Sequence, residues 1–376
     1  MRFSDIPGQK PLIDKLVNNI RSGKIPHAQL FSGSEGSSAL ALALAYAQYT
    51  LCSNKSDDSC GTCPSCKQML QLQHPDVHFA FPVAKTKDSS DKPTSQEFLN
   101  DWRLQMTEQP YPLYIDWLGR IGIENKQAQL SVYQASKIAQ ALQLKSYSGG
   151  KKVLILWMPE KLNIAASNKL LKLIEEPEGD TLILFVTHHE ENVLATIRSR
   201  CQTTKVPPLH HSDLQQFIIN KGGNKDLAPT ISAMALGLPG QALRIMQQPE
   251  RVKEDVDRFT NWVRVSFQRK VEAMIHWSDD TAGMGRERLK SFLHFALNGF
   301  EEALTFHYGA HQNNPFAISG NDFKFDKFAP FVNSANVIEI QSHINTAIYE
   351  IERNLNPKVV LLDLSFQIAR ALNVKN

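Results

Sequence analysis

The sequence predicts an α/β domain built on a parallel sheet, followed by a small helical domain and a long all-helical C-terminal region. Three observations carry this prediction. Short apolar segments alternate with helical ones up to residue 207, tandem prolines at Pro207 and Pro208 then break the chain, and beyond about residue 250 only helical periodicity remains. At 376 residues the chain is too long for one compact core, so two or three domains are expected.

Taken in order, Leu12, Leu16 and Ile20 stand four apart beside Ile13 and Val17, which predicts an amphipathic helix over Pro11–Ile20, stopped by Gly23. His27–Ser32 reads as a short apolar strand ending at Gly33, and Ser37–Leu51 as an almost unbroken Ala/Leu helix. Lys85–Ser95 is polar and proline-broken, hence a mobile loop. Gln96–Gly119, with Trp102, Tyr111, Tyr114 and Trp117, reads as an insertion with helical pieces and no assignable chemistry. Ser131–Leu144 is a helix, Lys152–Trp157 a buried strand, Ile164–Glu176 a helix closed by Pro177, and Thr181–Thr187 a second buried strand. Buried strands alternating with helices argue for a parallel sheet covered on both faces.

The expected boundaries are a sheet domain over 1–207 with an insertion at about 85–125, a small helical domain over 208–249, and an all-helical domain over 250–376. In the last, Leu289, Phe292, Leu293, Leu297 and Phe300 form one stripe, Ile344, Ile348, Ile351 and Leu355 a second, and Val360, Leu364, Ile368 and Leu372 a third.

Lys plus Arg number 41 against 38 Asp plus Glu, a formal charge of +3, so the balance does not demand a nucleic-acid partner. Any DNA contact must come from local cations, for which Lys145, Lys151, Lys152 and Lys169 are the candidates. No apolar run is long enough for a bilayer, and Met1–Lys10 carries Asp5, Pro7 and Gly8 where a secretory signal needs an apolar core, so a cytoplasmic protein without membrane contact is expected.

Four of the five cysteines follow the spacing C-x7-C-x2-C-x2-C at Cys52, Cys60, Cys63 and Cys66, with Gly61 and Pro64 supplying tight turns. Such a cluster in a chain without an export signal reads as a metal site, and four thiolates make the closed, structural form of zinc binding. His74 is a substitute ligand to consider, although His74–Val77 reads better as a turn into a strand, and Cys201 reads as a small buried hydrophobe.

A phosphate-binding loop has the form G-x-x-x-x-G-K-[ST], with backbone amides around the phosphates, a Lys on the terminal ones and a hydroxyl on magnesium. The run Gly33, Ser34, Glu35, Gly36, Ser37, Ser38, Ala39, Leu40 keeps the outline and loses the chemistry. Ala39 stands in place of the cation, Leu40 in place of the magnesium ligand, and Ser38 in place of the second glycine. After the strand, Trp157 and Met158 stand where a metal-binding acid and a water-orienting acid would be needed, and Glu160 reads as a surface charge. Taken alone, Gly33 and Gly36 are better explained as a simple strand-to-helix turn.

The order of several segments adds to this. FSDIPGQKPLIDKL, then IPHAQLFSGSEG, the cysteine run ending in HPDV, ASNKLLKLIEEPEGDTLILFVT and TIRSRCQ together resemble the AAA+ clamp-loader subunits of bacterial DNA polymerase III, of the gamma/tau and delta prime types. The resemblance spans most of Met1–Pro208, continues weakly through GLPGQALRI, and is interrupted by the insertion between His78 and Gln129. Within that family the ATPase subunits keep the loop Lys and the delta prime subunit commonly does not use it, so Ala39, Leu40, Trp157 and Met158 point to delta prime, with no ATP held in cis.

The resemblance also implies that Gln241 stands where a second-sensor Arg meets nucleotide, and that Thr187 occupies the first-sensor position as a mere strand-end hydroxyl. Ser199, Arg200 and Cys201 match a Ser-Arg-Cys motif whose Arg reaches the ATP of a neighbouring subunit, whereas Arg198 reads as solvated or ion-paired. The implied partners are the gamma/tau ATPase subunits, the delta subunit, the sliding clamp and primer-template DNA, with the C-terminal helices as the collar of a ring. Two rival readings are an ATPase-active subunit of the same family and a zinc-stabilised DNA-binding protein outside any ring.

Overall fold

Aliphatic and aromatic residues make up most of three central strands, and such strands are stable only when both faces are covered. The computed structural model describes residues 1–124, 126–309 and 323–373; Asn125, at the end of the expected insertion, and 310–322 and 374–376 of the expected helical domain lie outside the described residues. Among these residues β1 (Ala28–Ser32), β2 (Val77–Ala80), β3 (Lys152–Trp157), β4 (Thr181–Thr187) and β5 (Gln202–Lys205) form one sheet in the order β2-β3-β4-β1-β5. All four pairings are parallel. Every residue of β1, β3 and β4 is buried, and the polar QTTK of β5 lies at the edge, where exposure is tolerated. The register pairs Ser32 with Thr187 and Trp157 with Val186, which brings the carboxyl ends of β1, β4 and β3 level with one another.

Helices α1 (Lys10–Arg21), α2 (Ala39–Leu51), α3 (Pro64–Leu70), α4 (Leu99–Glu108), α5 (Tyr114–Arg120), α6 (Val132–Gln143), α7 (Ile164–Glu175) and α8 (Ala195–Arg198) complete this part of the molecule. α2 is apolar on every side and buried from Ala39 to Thr50, as a helix covered on all faces must be. Ser131 caps α6 by accepting from the Gln134 amide, and Asn163 caps α7 by accepting from the Ala166 amide. The segment expected to be a mobile loop is tied at several points: the Glu97 carboxylate accepts from the Ser90 and Thr94 amides at 2.9 Å each, and the amides of Thr86 and Ser89 donate to each other's hydroxyls.

The chain separates into two compact units, Met1–Leu214 with Gly237–Gln241, and Gln215–Leu236 with Ala242–Asn376. The second is helical, its longer helices being Pro249–Phe267, Val271–Ala282, Arg286–His307, Val337–Glu352 and Pro357–Ala371. Within it Trp262 stacks on Trp277 at 5.0 Å and donates to the Ser365 hydroxyl at 2.9 Å. Leu289, Phe292, Leu293 and Phe300 are fully buried as the periodicity predicts, and so are Ile344 and Ile351. Leu355 departs from its stripe and is exposed, because the helix ends at Glu352 and Asn354 turns the chain with a φ of +65°. Among the described residues no helix is long and apolar enough to cross a membrane.

Candidate functional site

Ligands of open parallel sheets bind outside the carboxyl ends of the strands, so the turn after β1 is the place to look. The Gly33 amide donates to the Thr187 carbonyl at 3.2 Å, and Gly36 has a φ of +79°, a conformation that requires glycine here. Ala39 and Leu40 are both buried as the first residues of α2. The Ser38 hydroxyl is buried with no hydrogen-bond partner among the described residues.

At the end of β3 Trp157 is fully buried and its indole N–H donates to His188 Nε2 at 3.2 Å. Burial holds the His188 imidazole below its usual pKa, hence neutral and able to accept that bond. Glu160, read from the sequence as a surface charge, is instead a tie: its carboxylate accepts from the Thr187 hydroxyl at 2.8 Å and from the His188 amide at 3.1 Å. Thr187 in turn accepts from the His189 amide at 3.1 Å, as expected of a strand-end hydroxyl.

The insertion lies against this edge. Trp102 stacks on Phe81 at 4.4 Å and meets Trp117 and Trp157 at 5.4 Å each, so Trp157 is also the seat of the insertion. The Gly240 amide donates to the Gly36 carbonyl at 2.8 Å, and the Glu35 carboxylate accepts from the Tyr114 amide. The approach to the loop is thus made by the backbone of Gly240, one residue before the Gln241 singled out by the sequence.

The cysteines are positioned by helix ends. Cys52 caps the end of α2, Gly61 turns the chain with a φ of +71°, and Cys63 and Cys66 lie at the start of α3, which Pro64 opens. The four sulfurs lie within 4.8 Å of one another, with 3.9 Å between Cys60 and Cys66 and 4.0 Å between Cys52 and Cys63. A tetrahedron with Zn–S of about 2.3 Å has edges of about 3.8 Å, so the spacing fits. The Cys60 amide donates to Cys52 Sγ and the Cys63 amide to Cys60 Sγ, at 3.3 Å each, which favours thiolates. The Thr62 hydroxyl and the Cys63 amide lower Cys60 to about 5, whereas burial pushes Cys52 and Cys66 up. Four sulfurs this close become thiolates together only around a cation, and the cluster is consistent with a structural metal site such as zinc. His74 is buried outside this cluster and accepts from the Asp76 amide at 3.2 Å, in the turn that leads into β2.

Arg200 lies after α8 and is about two-fifths exposed. Its guanidinium donates to the Glu175 carboxylate at 2.7 and 2.6 Å, to the Thr196 carbonyl at 2.9 Å and to the Ser199 hydroxyl at 3.3 Å. Arg198 donates to the Glu190 carbonyl at 3.3 Å, and Cys201 packs against the core beneath the sheet, where burial pushes its thiol up to about 12.

Of the lysines considered for DNA, Lys152 is a correction: its ammonium is buried and donates to the carbonyls of Leu142 and Leu144 at the end of α6. Lys151 is paired with Asp180, whereas Lys145 and Lys169 are exposed. Sequence reasoning missed Glu175, the partner of Arg200, and Asp76, whose carboxylate accepts from the amides of Tyr147 and Ser148 at 2.6 and 2.9 Å. Neither has a local signal, because both partners are distant in the chain.

Comparison with known proteins agrees with this architecture. The family described as "DNA polymerase III, delta subunit" matches residues 8–210. The DNA polymerase III subunit delta' of Bacillus subtilis is 24% identical over 280 residues, 74% of this chain and 71% of the relative. That of Escherichia coli is 25% identical over 320 residues, 84% of this chain and 80% of the relative. The subunit tau/gamma of Haemophilus influenzae is 23% identical over 217 residues, 57% of this chain and 25% of the relative. The chain therefore belongs to the DNA polymerase III delta subunit family, as a delta' clamp-loader subunit of the holoenzyme and a relative of its AAA+ subunits.

Proposed function

We propose that this subunit hydrolyses no ATP itself and serves as a fixed element of the replicative clamp loader, lending Arg200 to the ATP held by an adjacent gamma/tau-type subunit. The observation that carries the reading is the contrast between two places. Ala39, Leu40 and Trp157, where a cation, a magnesium-binding hydroxyl and an acid would be needed, are buried apolar residues, while the permanently charged Arg200 stands at the surface. Glu175, Thr196 and Ser199 together hold all three guanidinium nitrogens, which gives the finger a defined starting geometry. The pair is exposed, so its net strength is small and exchange of Glu175 for a phosphate costs little.

In this reading residues 1–207 form the AAA+ domain, 208–249 the lid and 250–376 the ring collar, Cys52, Cys60, Cys63 and Cys66 hold a structural zinc, and the delta subunit, sliding clamp and primer-template DNA are the remaining partners in the cytoplasm. Zinc in a four-sulfur site has no open position, so it stabilises and does not catalyse.

The test is Arg200→Ala in a reconstituted clamp loader. An arginine finger contributes about three to five orders of magnitude to NTP hydrolysis in the best-studied cases. DNA-stimulated ATP turnover at the neighbouring site and clamp loading should therefore fall at least tenfold, and unchanged turnover and loading would end the proposal. Tight MgATP binding with turnover by the purified chain alone would favour the ATPase-active alternative.

A further inference from the structure

We propose that residues Gln109–Tyr114 act as a built-in strut that holds Gly237–Gln241 on the glycine loop, so that the chain's own backbone closes the loop without nucleotide. The inference rests on the reading of Gly33–Leu40 as a phosphate loop stripped of its ligands, and gives the insertion a task.

The contacts bring the backbone of Gly240 directly onto the loop. A methyl group placed on Gly240 would fall 2.2 Å from the Tyr111 carbonyl oxygen and 2.8 Å from the Cα of Gly36. One placed on Gly36 would fall 2.8 Å from Leu113 Cδ2 and 3.4 Å from the Cα of Gly240. The backbones of Gly36, Gly240 and Tyr111 are thus packed directly against one another, with no room for a side chain between them. The closure is also bonded. The Gly240 amide donates to the Gly36 carbonyl, and the buried Gln109 side-chain amide donates to the carbonyls of Tyr111 and Gly240, at 3.3 and 3.4 Å. The Glu35 carboxylate takes the Tyr114 amide, placing a negative charge on the loop where an active relative would receive a polyanion.

The strut is stiff because its base is aromatic. Trp102 and Trp117 are fully buried, Trp117 donates its indole N–H to the Pro82 carbonyl at 2.9 Å, and Trp102 rests on Trp157. One replacement, Trp157 for an acid, thus removes a ligand of magnesium and supplies the surface on which the strut is founded.

The measurement is amide hydrogen exchange on the full chain, read at Gly240, whose N–H bonds Gly36 and is not a partner of the groups to be altered. Gln109→Ala should speed exchange at Gly240 at least tenfold, and Glu35→Ala, at a more exposed position, should do the same while the amides of β3 and β4 stay protected. Protection of Gly240 unchanged in both variants, with MgATP also without effect, would overturn the strut alone. Slower exchange at Gly240 in the unmodified chain on adding MgATP would show that nucleotide enters in cis, overturning the reading of the loop and the strut with it.

Discussion

The glycine loop and the cysteine knuckle sit at opposite ends of α2, and they differ in what their polar groups face. At Cys52, Cys60, Cys63 and Cys66 four sulfurs converge on one point, with amides arranged to favour negative charge. At Gly33–Leu40 the neighbours of the loop are the chain's own Leu113 and Gly240, and Ala39 lies in the core. Convergent, charge-ready donors mark a site built for something from outside; apolar filling and backbone pairing mark one the chain completes for itself.

Five substitutions break or sharpen this contrast. Cys66→Ser, at the fully buried sulfur of the knuckle, should abolish stoichiometric zinc by elemental analysis and cost on the order of 5 kcal/mol in urea unfolding, since metal binding is folding free energy. A metal-to-protein ratio near zero in the unmodified chain would remove the contrast itself. Trp102→Ala, at 1% exposure under the strut, should cost about 3–5 kcal/mol by the same measurement, because it empties a packed aromatic cluster. Gly240→Ala puts a methyl against backbone on two sides and should cost about 1–3 kcal/mol, while Gly150→Ala, with nothing within 4 Å, should shift the midpoint hardly at all. Equal effects at the two glycines would mean that the loop is not closed as described. Ser38→Ala should be the mildest change, within about 0.5 kcal/mol of neutral or slightly stabilising, since it deletes a buried hydroxyl without a partner among the described residues. A loss above about 1 kcal/mol would reveal a bond to that hydroxyl.

How far such features can be read in advance depends on whether their causes are local. β3 and β4 run over the residues that the apolar runs mark, because a strand buried on both faces leaves no polar residue inside it. The cysteines are equally plain, since metal geometry constrains their spacing directly. Lys152 and Glu160 show the opposite. Lys152 reads as a candidate DNA contact and Glu160 as a surface charge, yet Lys152 is spent on the last carbonyls of α6 and Glu160 on the strand end at Thr187 and His188. Those partners belong to other elements, so the pairing depends on how the elements pack and not on the pattern along the chain. Leu355 failed for a smaller reason: the periodicity continues past the point where the backbone stops being helical.

Composition, spacing and the order of motifs were enough to specify a parallel α/β sheet and a four-cysteine cluster, because each follows from residue chemistry along a short stretch of chain. The use of Trp157 as a foundation, the closure of Gly36 by Gly240, and the holding of Arg200 by Glu175 were settled only when segments 25 to more than 200 residues apart were packed together. A hydrogen bond or a van der Waals contact depends on distance in space, and the chain reports only distance along itself.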